Sequence, residues 1–77
     1  MIKLKLYSRI ECPLCEYAEE LLQADGVPYD VVDIDDDEAL IQQYHVRIPV
    51  LSNGSDELDW PFDAQSAKQL LVEVGNG

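Results

Sequence analysis

The chain has 77 residues, 47% of them hydrophobic, and a net charge of −11 from sixteen acidic and five basic residues. At this length we expect one domain, residues 1–77, in which a single core supplies the stability. The excess of acid argues against nucleic acid as a partner, because phosphate recognition depends on lysine and arginine, and it disfavours anionic membrane surfaces. Protein partners are expected to be basic or neutral where they make contact.

No segment has the pattern of a targeting or membrane-spanning element. The N-terminal residues lack the apolar run and the small-residue cleavage site of an export signal. No stretch approaches the ~20 apolar residues of a membrane span. We therefore expect a cytoplasmic protein without a membrane partner.

The first half of the chain predicts a strand, a helix and a second strand. Residues 2–7 alternate apolar and polar side chains, which is typical of a strand. A helix is predicted from Pro13, and Gly26 suits the left-handed turn that ends it. Residues 27–34 are rich in valine without strict alternation, which is typical of a strand covered on both faces. Together these elements predict a right-handed, parallel βαβ unit. The apolar face of the helix is predicted to consist of Leu14, Tyr17, Ala18, Leu21 and Leu22.

An acidic run, residues 33–40, begins at the end of the second strand. Its alternating aspartates resemble a calcium loop, but Glu38 stands where such a loop needs glycine. We therefore predict that Asp35 or Asp36 caps a short helix, whose N-terminal dipole favours nearby acids. Its buried face is predicted to consist of Leu40, Ile41 and Tyr44.

The second half of the chain predicts a hairpin and a last helix. Residues 46–52 and 57–60 are predicted to flank a turn in residues 53–56, in which Asn53-Gly54 is a strong two-residue hairpin signal. Asp63 is predicted to cap the last helix. The predicted order is therefore β-α-β-α-β-β-α. The apolar face of the last helix is predicted to consist of Ala67, Leu70, Leu71 and Val74.

The only two cysteines, Cys12 and Cys15, lie in the motif C-P-L-C. At this spacing they cannot link distant segments, so a structural disulfide is not expected. Pro13 suits the first helical position, which makes Cys12 the N-cap, next to unpaired backbone N–H groups. Cysteines in such positions have pKa values of roughly 3.5–7.5, against about 8.5 for a free thiol.

Neighbouring charges modify this prediction. Glu11 and Glu16 disfavour a thiolate and Arg9 favours one, so we expect a lowered pKa for Cys12 but not an extreme one. Cys15 lies one helical turn further on and should be less accessible. The pattern predicts that Cys12 attacks a substrate disulfide and that Cys15 then releases the reduced product.

Two other functions remain open at this point. Intramolecular zinc would need four ligands, and His45 and Met1 are the only further soft side chains. A copper carrier is disfavoured by the proline inside the motif and by the predicted second helix. A non-catalytic module that binds partners on a redox-type fold is the other alternative. We expect no metal.

Two segments resemble the glutaredoxin-like branch of the thioredoxin fold. The segment YSRIECPLC resembles the glutaredoxin active-site segment, with Arg9 as the basic residue that precedes the first cysteine. RIPVL resembles the segment that carries a cis-proline, which implies a cis Ile48-Pro49 bond. Small bacterial glutaredoxin-like proteins also have segments similar to DIDDD and LDWPFD. The resemblance implies an α/β, thioredoxin-like fold, β-α-β-α-β-β-α, with a four-stranded mixed sheet and helices on both faces.

The resemblance also implies a substrate site around the cysteines. In the family, the backbone of the residue before the cis-proline pairs with substrate, so Ile48 would pair with a cysteinyl peptide. Arg47 is a candidate to steer an anionic substrate, and Trp60 either packs on the last helix, which we favour, or contacts substrate. The expected substrate-binding residues are Arg9, Pro13, Leu14, Arg47, Ile48, Pro49 and Trp60.

The sequence departs from the glutathione-using relatives at two places. Those relatives hold glutathione through a Gly-Gly turn before the last helix, where this chain has Trp60 and Pro61. Leu14 replaces the usual tyrosine of the motif. The usual mode of glutathione binding is therefore not supported, although glutathione remains a possible co-substrate. We expect a monomer without a bound cofactor. We expect its partner to be a disulfide-containing protein or glutathione, and two candidate reductants remain, glutathione and a flavin-dependent thioredoxin reductase.

Overall fold

The computed structural model describes residues 3–76, with side chains through Val72. The order of the elements is the predicted one. The strands are β1 (Leu4–Ser8), β2 (Tyr29–Asp33), β3 (Val50–Ser52) and β4 (Glu57–Asp59). The α-helices are α1 (Pro13–Ala24), α2 (Glu38–Tyr44) and α3 (Ala64–Asn76), and a short 3-10 helix spans Ile34–Asp36. Ile2 and the side chain of Val74, both part of predicted elements, lie outside the described residues.

The four strands form one mixed sheet in the order β2-β1-β3-β4. β1 is parallel to β2, with Ser8 level with Asp33, and antiparallel to β3, with Tyr7 level with Val50. β3 and β4 form the antiparallel hairpin. This is the predicted α/β, thioredoxin-like architecture, and it brings the ends of β1 and β2 together with the start of β3.

Helices cover both faces of the sheet. On one face, buried residues of β1 and β3 pack against α1 and α3, and on the other Val50 packs against Ile34 and Tyr44. The Tyr7 ring stacks on the Tyr44 ring with centroids 4.3 Å apart. The members of the first core are Leu4, Leu6, Ala18, Leu22, Val27, Leu51, Phe62, Ala67 and Leu70.

The predicted apolar face of α1 is wrong at its N-terminal end. Leu14 and Tyr17 are 47% and 60% exposed, whereas Cys15, Ala18 and Leu22 are buried. An α-helix turns by about 100° per residue. Leu14 and Tyr17 each precede a buried residue by one position, so their side chains point about 100° away from the face that meets the sheet.

The expectation that both faces of β2 are covered is also wrong. β2 is an edge strand, and Val31 is 48% exposed. Parallel strands are usually buried on both faces, but in the described sheet β2 pairs only with β1, and the face that carries Val31 stays partly open.

The acidic run contains two caps where one was predicted. Asp37 caps α2 by accepting the N–H of Ala39 at 2.9 Å, and Asp33 accepts the N–H of Asp35 at 2.9 Å at the start of the 3-10 helix. The prediction of Asp35 or Asp36 as the cap is therefore wrong, because two short elements share the acidic run. The predicted buried face of α2 is confirmed: Tyr44 is buried, and the partly buried Leu40 and Ile41 pack against its cluster.

Turn and cap residues of the remaining elements agree more closely with prediction. Gly26 adopts the left-handed φ of 67° that ends α1, and Asp63 caps α3 by accepting the N–H of Ser66 at 2.8 Å. The hairpin loop consists of residues 53–56, the four residues between the predicted segments, and not only the two residues of the Asn53-Gly54 signal, since Ser52 pairs with Glu57. Asn53 stabilises this longer loop, because its side-chain oxygen accepts two backbone N–H groups within it. Among the described helices, none is long and apolar enough to cross a membrane.

Candidate functional site

Cys12 and Cys15 form a disulfide at the N-terminus of α1, with their Cα atoms 5.2 Å apart. Cys12 is the N-cap, with extended backbone angles, and Pro13 is the first helical residue. The N–H of Cys15 donates to the Cys12 sulfur at 3.2 Å. The predicted N-cap position of Cys12 is therefore confirmed. Its sulfur takes the place that a serine or aspartate oxygen usually occupies at such a cap.

The two sulfurs differ in access. Cys15 is only 2% exposed and belongs to the buried face of α1, whereas Cys12 is partly exposed. The prediction that Cys15 is the less accessible cysteine is confirmed. An incoming sulfur therefore meets Cys12 first, with Cys15 one turn behind it.

A cavity of about 310 Å³ lies beside the disulfide. It forms where the carboxyl ends of the parallel strands β1 and β2 face α1, which is the usual place for a crevice in α/β sheets. We call it the acidic cavity. Its lining residues are Ser8, Arg9, Ile10, Glu11, Cys12, Cys15, Glu16, Glu19, Val31 and Asp33.

Negative charge dominates the acidic cavity. Four of its lining residues are acids and Arg9 is the one base. Arg9 donates to Asp35, at 2.6 Å for the shortest contact, and this hydrogen bond holds the pKa of Asp35 below its ordinary value. Asp35 thus offsets the positive charge that was expected to favour a Cys12 thiolate.

Glu19 lines the acidic cavity two helical turns after Cys12, and its carboxylate is hydrogen-bonded. The hydroxyl of Tyr29 donates to a Glu19 carboxylate oxygen at 3.0 Å and accepts from the Gln23 side chain at 2.8 Å. Burial raises the pKa of Tyr29, so its hydroxyl remains protonated and able to donate. The Glu19 carboxylate is therefore held in place by the fold.

The turn between β1 and α1 contains an uncommon backbone conformation. Glu11, next to Cys12, has a left-handed φ of 62°. Residues other than glycine and asparagine rarely adopt this region, and the cost is of order 1 kcal/mol. The strain lies in the connection that brings Cys12 from the sheet to the helix N-terminus.

The segment before β3 lies beside the end of β1, from which the chain continues to Cys12. The Ile48-Pro49 bond is cis, as the resemblance implied. Continuing the β1–β3 register places Pro49 level with Ser8 and Ile48 level with Arg9. The N–H of Ile48 donates to the Tyr44 carbonyl at 3.1 Å. A substrate strand would have to displace that bond to use the Ile48 amide, so its pairing with substrate stays a prediction.

Arg47 is held by contacts within the protein. Its guanidinium lies 2.8 Å from both Glu57 and Asp59 and 5.2 Å from the centroid of the Tyr44 ring. The Tyr44 hydroxyl donates to Glu57 at 2.6 Å. Hydrogen bonds from Tyr44 and then Arg47 lower the pKa of Glu57, while burial and Glu57 raise that of Tyr44. We call this group, Tyr44, Arg47, Glu57 and Asp59, the hairpin cluster.

Trp60 is partly buried against the first core and meets the Phe62 ring edge-on, with centroids 5.2 Å apart. This geometry favours the packing interpretation over a substrate contact. Of the residues predicted to form the site, the structure brings Arg9, Cys12 and Cys15 to one cavity. The others do not line it, and their role in binding stays a prediction: Pro13, Leu14, Arg47, Ile48, Pro49 and Trp60.

The predicted site lacks three residues that line the cavity with the cysteines, Glu19, Val31 and Asp33. Glu19 follows Cys12 by seven residues, two helical turns, and this spacing was the available signal. The two β2 residues come into place only through parallel pairing with β1. Among residues 3–72, no group of three or more His, Cys, Asp or Glu side chains is arranged to hold a metal ion.

This fold and this cysteine pair define a thioredoxin-like protein with a CxxC motif. Residues 3–72 match the family profile described as Glutaredoxin-like domain (DUF836). The chain belongs to this glutaredoxin-like family. Among curated proteins, none matches the chain significantly.

Solved structures support the assignment. The chain is similar to protein XcR50 from X. campestris, at 46% identity and a TM-score of 0.76 over 91% of this chain and 96% of that one. Protein Ne2328 from Nitrosomonas europaea has 32% identity and a TM-score of 0.74, with 90% and 89% covered. The glutaredoxin from Archaeoglobus fulgidus has 25% identity and a TM-score of 0.64, with 91% and 86% covered.

Proposed function

We propose that the protein is a thiol–disulfide oxidoreductase that cycles Cys12 and Cys15 between dithiol and disulfide. The observation that carries this proposal is the asymmetry of the pair. Cys12 is partly exposed at a helix N-cap, and the buried Cys15 stands one turn behind it, bonded to it in the oxidised state. A structural disulfide would not need one reachable sulfur at a helix N-terminus.

Reduction of a substrate disulfide uses both sulfurs in turn. The Cys12 thiolate attacks one sulfur of a substrate disulfide, the substrate S–S bond breaks, and one substrate thiolate leaves and takes a proton from water. The Cys15 thiol then loses its proton and attacks the Cys12 sulfur, so the second substrate thiolate leaves and is protonated. The substrate gains two electrons and two protons, and the protein is left as the disulfide.

The N-cap geometry supports Cys12 as the attacking sulfur. The backbone N–H of Cys15 already points at Sγ of Cys12, at 3.2 Å, and the same contact stabilises negative charge on that sulfur when it is a thiolate. Burial of Cys15 keeps it from competing for substrate.

We also propose a substrate class, a source of electrons and an oligomeric state for the protein. The substrate is a disulfide in a protein or in a low-molecular-weight thiol such as glutathione. An external thiol or a flavin-dependent thioredoxin reductase returns the electron pair. We propose that no bound cofactor or metal takes part and that the protein acts as a monomer in the cytoplasm.

The test is reduction of a small neutral disulfide, bis(2-hydroxyethyl) disulfide, with dithiothreitol as reductant. We expect the wild-type protein to accelerate it and Cys12→Ser to abolish the acceleration. Cys15→Ser, incubated with the same disulfide in the absence of dithiothreitol, should accumulate a mixed disulfide on Cys12, which mass spectrometry detects. Serine is a favoured N-cap, so Cys12→Ser keeps the start of α1. Equal activity of wild type and Cys12→Ser would contradict the proposal.

A further inference from the structure

We propose that the acidic cavity selects disulfides with positively charged neighbours, so that the preferred substrate is a cysteine in a peptide segment that carries lysine or arginine. This inference rests on the proposed function, since it assigns a substrate class to the same disulfide. It follows from the charge, the spacing and the apolar surface of the cavity.

The charge of the acidic cavity favours a cation. None of the ion pairs among the described residues involves its four acids, Glu11, Glu16, Glu19 and Asp33. Its one base, Arg9, is bonded to Asp35 outside the lining. A net anionic disulfide such as oxidised glutathione therefore meets repulsion beside Cys12, whereas a lysine or arginine side chain meets unneutralised carboxylates.

The spacing along α1 sets where the cation lies in the substrate. Glu16 and Glu19 follow Cys12 by four and seven residues, which is about 6 Å and about 10 Å along the helix axis. An extended peptide advances about 3.3 Å per residue. A peptide cysteine bonded to Cys12 therefore places residues about two and three positions away next to these two carboxylates.

Two further features fit a peptide better than a free ion. Glu19 is held by the Tyr29 hydroxyl, so it loses little side-chain freedom when a cation binds. Ile10 and Val31 line the same cavity and are 75% and 48% exposed. The stem of a lysine or arginine and the neighbouring peptide side chains would bury this apolar surface while the charged end meets the carboxylates.

The experiment compares three peptides of equal length, each with one cysteine in a mixed disulfide with 2-mercaptoethanol. Lysine, glutamine or glutamate occupies the second and third positions on both sides of the cysteine, because the spacing does not fix the direction of the peptide. Dithiothreitol supplies the electrons, and kcat/KM is measured at low salt after subtraction of the uncatalysed rate. We expect the lysine peptide to exceed the glutamine peptide by about five- to tenfold, with the glutamate peptide slowest.

Two double variants, one inside the cavity and one outside it, distinguish recognition by the cavity from a general effect of the net charge of the molecule. Glu16→Gln/Glu19→Gln should reduce the lysine preference to about twofold. The control Glu20→Gln/Glu38→Gln removes the same charge from exposed helix positions outside the cavity lining and should keep the preference. Raising the salt from about 10 mM to about 1 M, which shortens the Debye length from about 30 Å to about 3 Å, should also reduce it.

Two results would overturn the inference while leaving the oxidoreductase intact. One is equal kcat/KM for the lysine and glutamine peptides, and the other is equal loss of the preference in both double variants. If bis(2-hydroxyethyl) disulfide and all three peptides react only at the uncatalysed rate, the proposed function itself fails. The neutral disulfide thus distinguishes the two failures.

Discussion

The hairpin cluster and the acidic cavity use charge in opposite ways. On the side of β3 and β4, Arg47 is bonded to Glu57 and Asp59, and the Tyr44 hydroxyl donates to Glu57. On the side of α1 and β2, none of the four acids of the acidic cavity forms an ion pair with a described residue. The charges of the hairpin cluster are paired with one another and stabilise the fold. The carboxylates of the acidic cavity are not in ion pairs among the described residues, so they can bind a cationic ligand.

The contrast shows that a charge near a reactive group is not by itself a recognition element. Arg47 was the candidate to steer substrate, yet its guanidinium has two carboxylate partners and an aromatic ring. Glu19 was not predicted as a site residue. In the structure its carboxylate accepts from the Tyr29 hydroxyl and lines the cavity beside the disulfide. Variants on the two sides should therefore affect different properties.

The largest expected effect is on stability, from Tyr44→Ala. It removes a buried ring stacked on Tyr7 and the hydroxyl that donates to Glu57, so we expect a loss of about 3–5 kcal/mol in the free energy of unfolding. The matched control is Tyr17→Ala, because Tyr17 is 60% exposed on α1, and it should change stability by no more than about 0.5 kcal/mol. Urea unfolding followed by circular dichroism measures both. Similar losses in the two variants would contradict a structural role for the hairpin cluster.

A smaller effect is expected from Arg47→Gln. Loss of two partly exposed ion pairs should cost about 1 kcal/mol, while Lys3→Gln, which breaks the more exposed pair with Asp30, should cost little or nothing. The rate with an anionic disulfide tests the remaining prediction that Arg47 guides substrate. A large loss of that rate without a loss of stability would place Arg47 in the site instead of the scaffold.

The Arg47 effect should depend on pH in a defined direction. The folded protein holds the pKa of Glu57 below its ordinary value of 4.5. A carboxyl group whose pKa is lowered by folding contributes its full stabilisation when the pH is above its pKa in the unfolded state. That contribution is lost as the pH falls through its pKa in the folded state. The stability difference between wild type and Arg47→Gln should therefore be largest near neutral pH and shrink below 4.5. A difference that grows on acidification would contradict the ion pair.

Local rules were sufficient for most of the fold. Periodicity predicted the order of the elements, and Pro13 predicted the N-cap position of Cys12, because both depend on residues close in sequence. The caps in the acidic run were less well predicted, since several aspartates offer the same local signal and only the three-dimensional path selects Asp33 and Asp37.

The substrate side of the site could not be predicted in the same way. The acidic cavity joins the end of β1, one face of α1 and the edge strand β2, and this arrangement depends on strand order and on how α1 rotates over the sheet. The same rotation exposes Leu14 and Tyr17, which the helical pattern placed on the apolar face. Sequence spacing identified the cysteine pair, whereas packing determines what surrounds it.

The central claim is that Cys12 is the accessible, activated sulfur of the pair. Alkylation of the reduced protein with iodoacetamide across a pH series, with the modified cysteine identified by mass spectrometry, tests it most directly. We predict that Cys12 reacts much faster than Cys15, with a midpoint below the value of about 8.5 for a free thiol. Equal reactivity of the two cysteines, or a Cys12 midpoint at or above that value, would contradict the account.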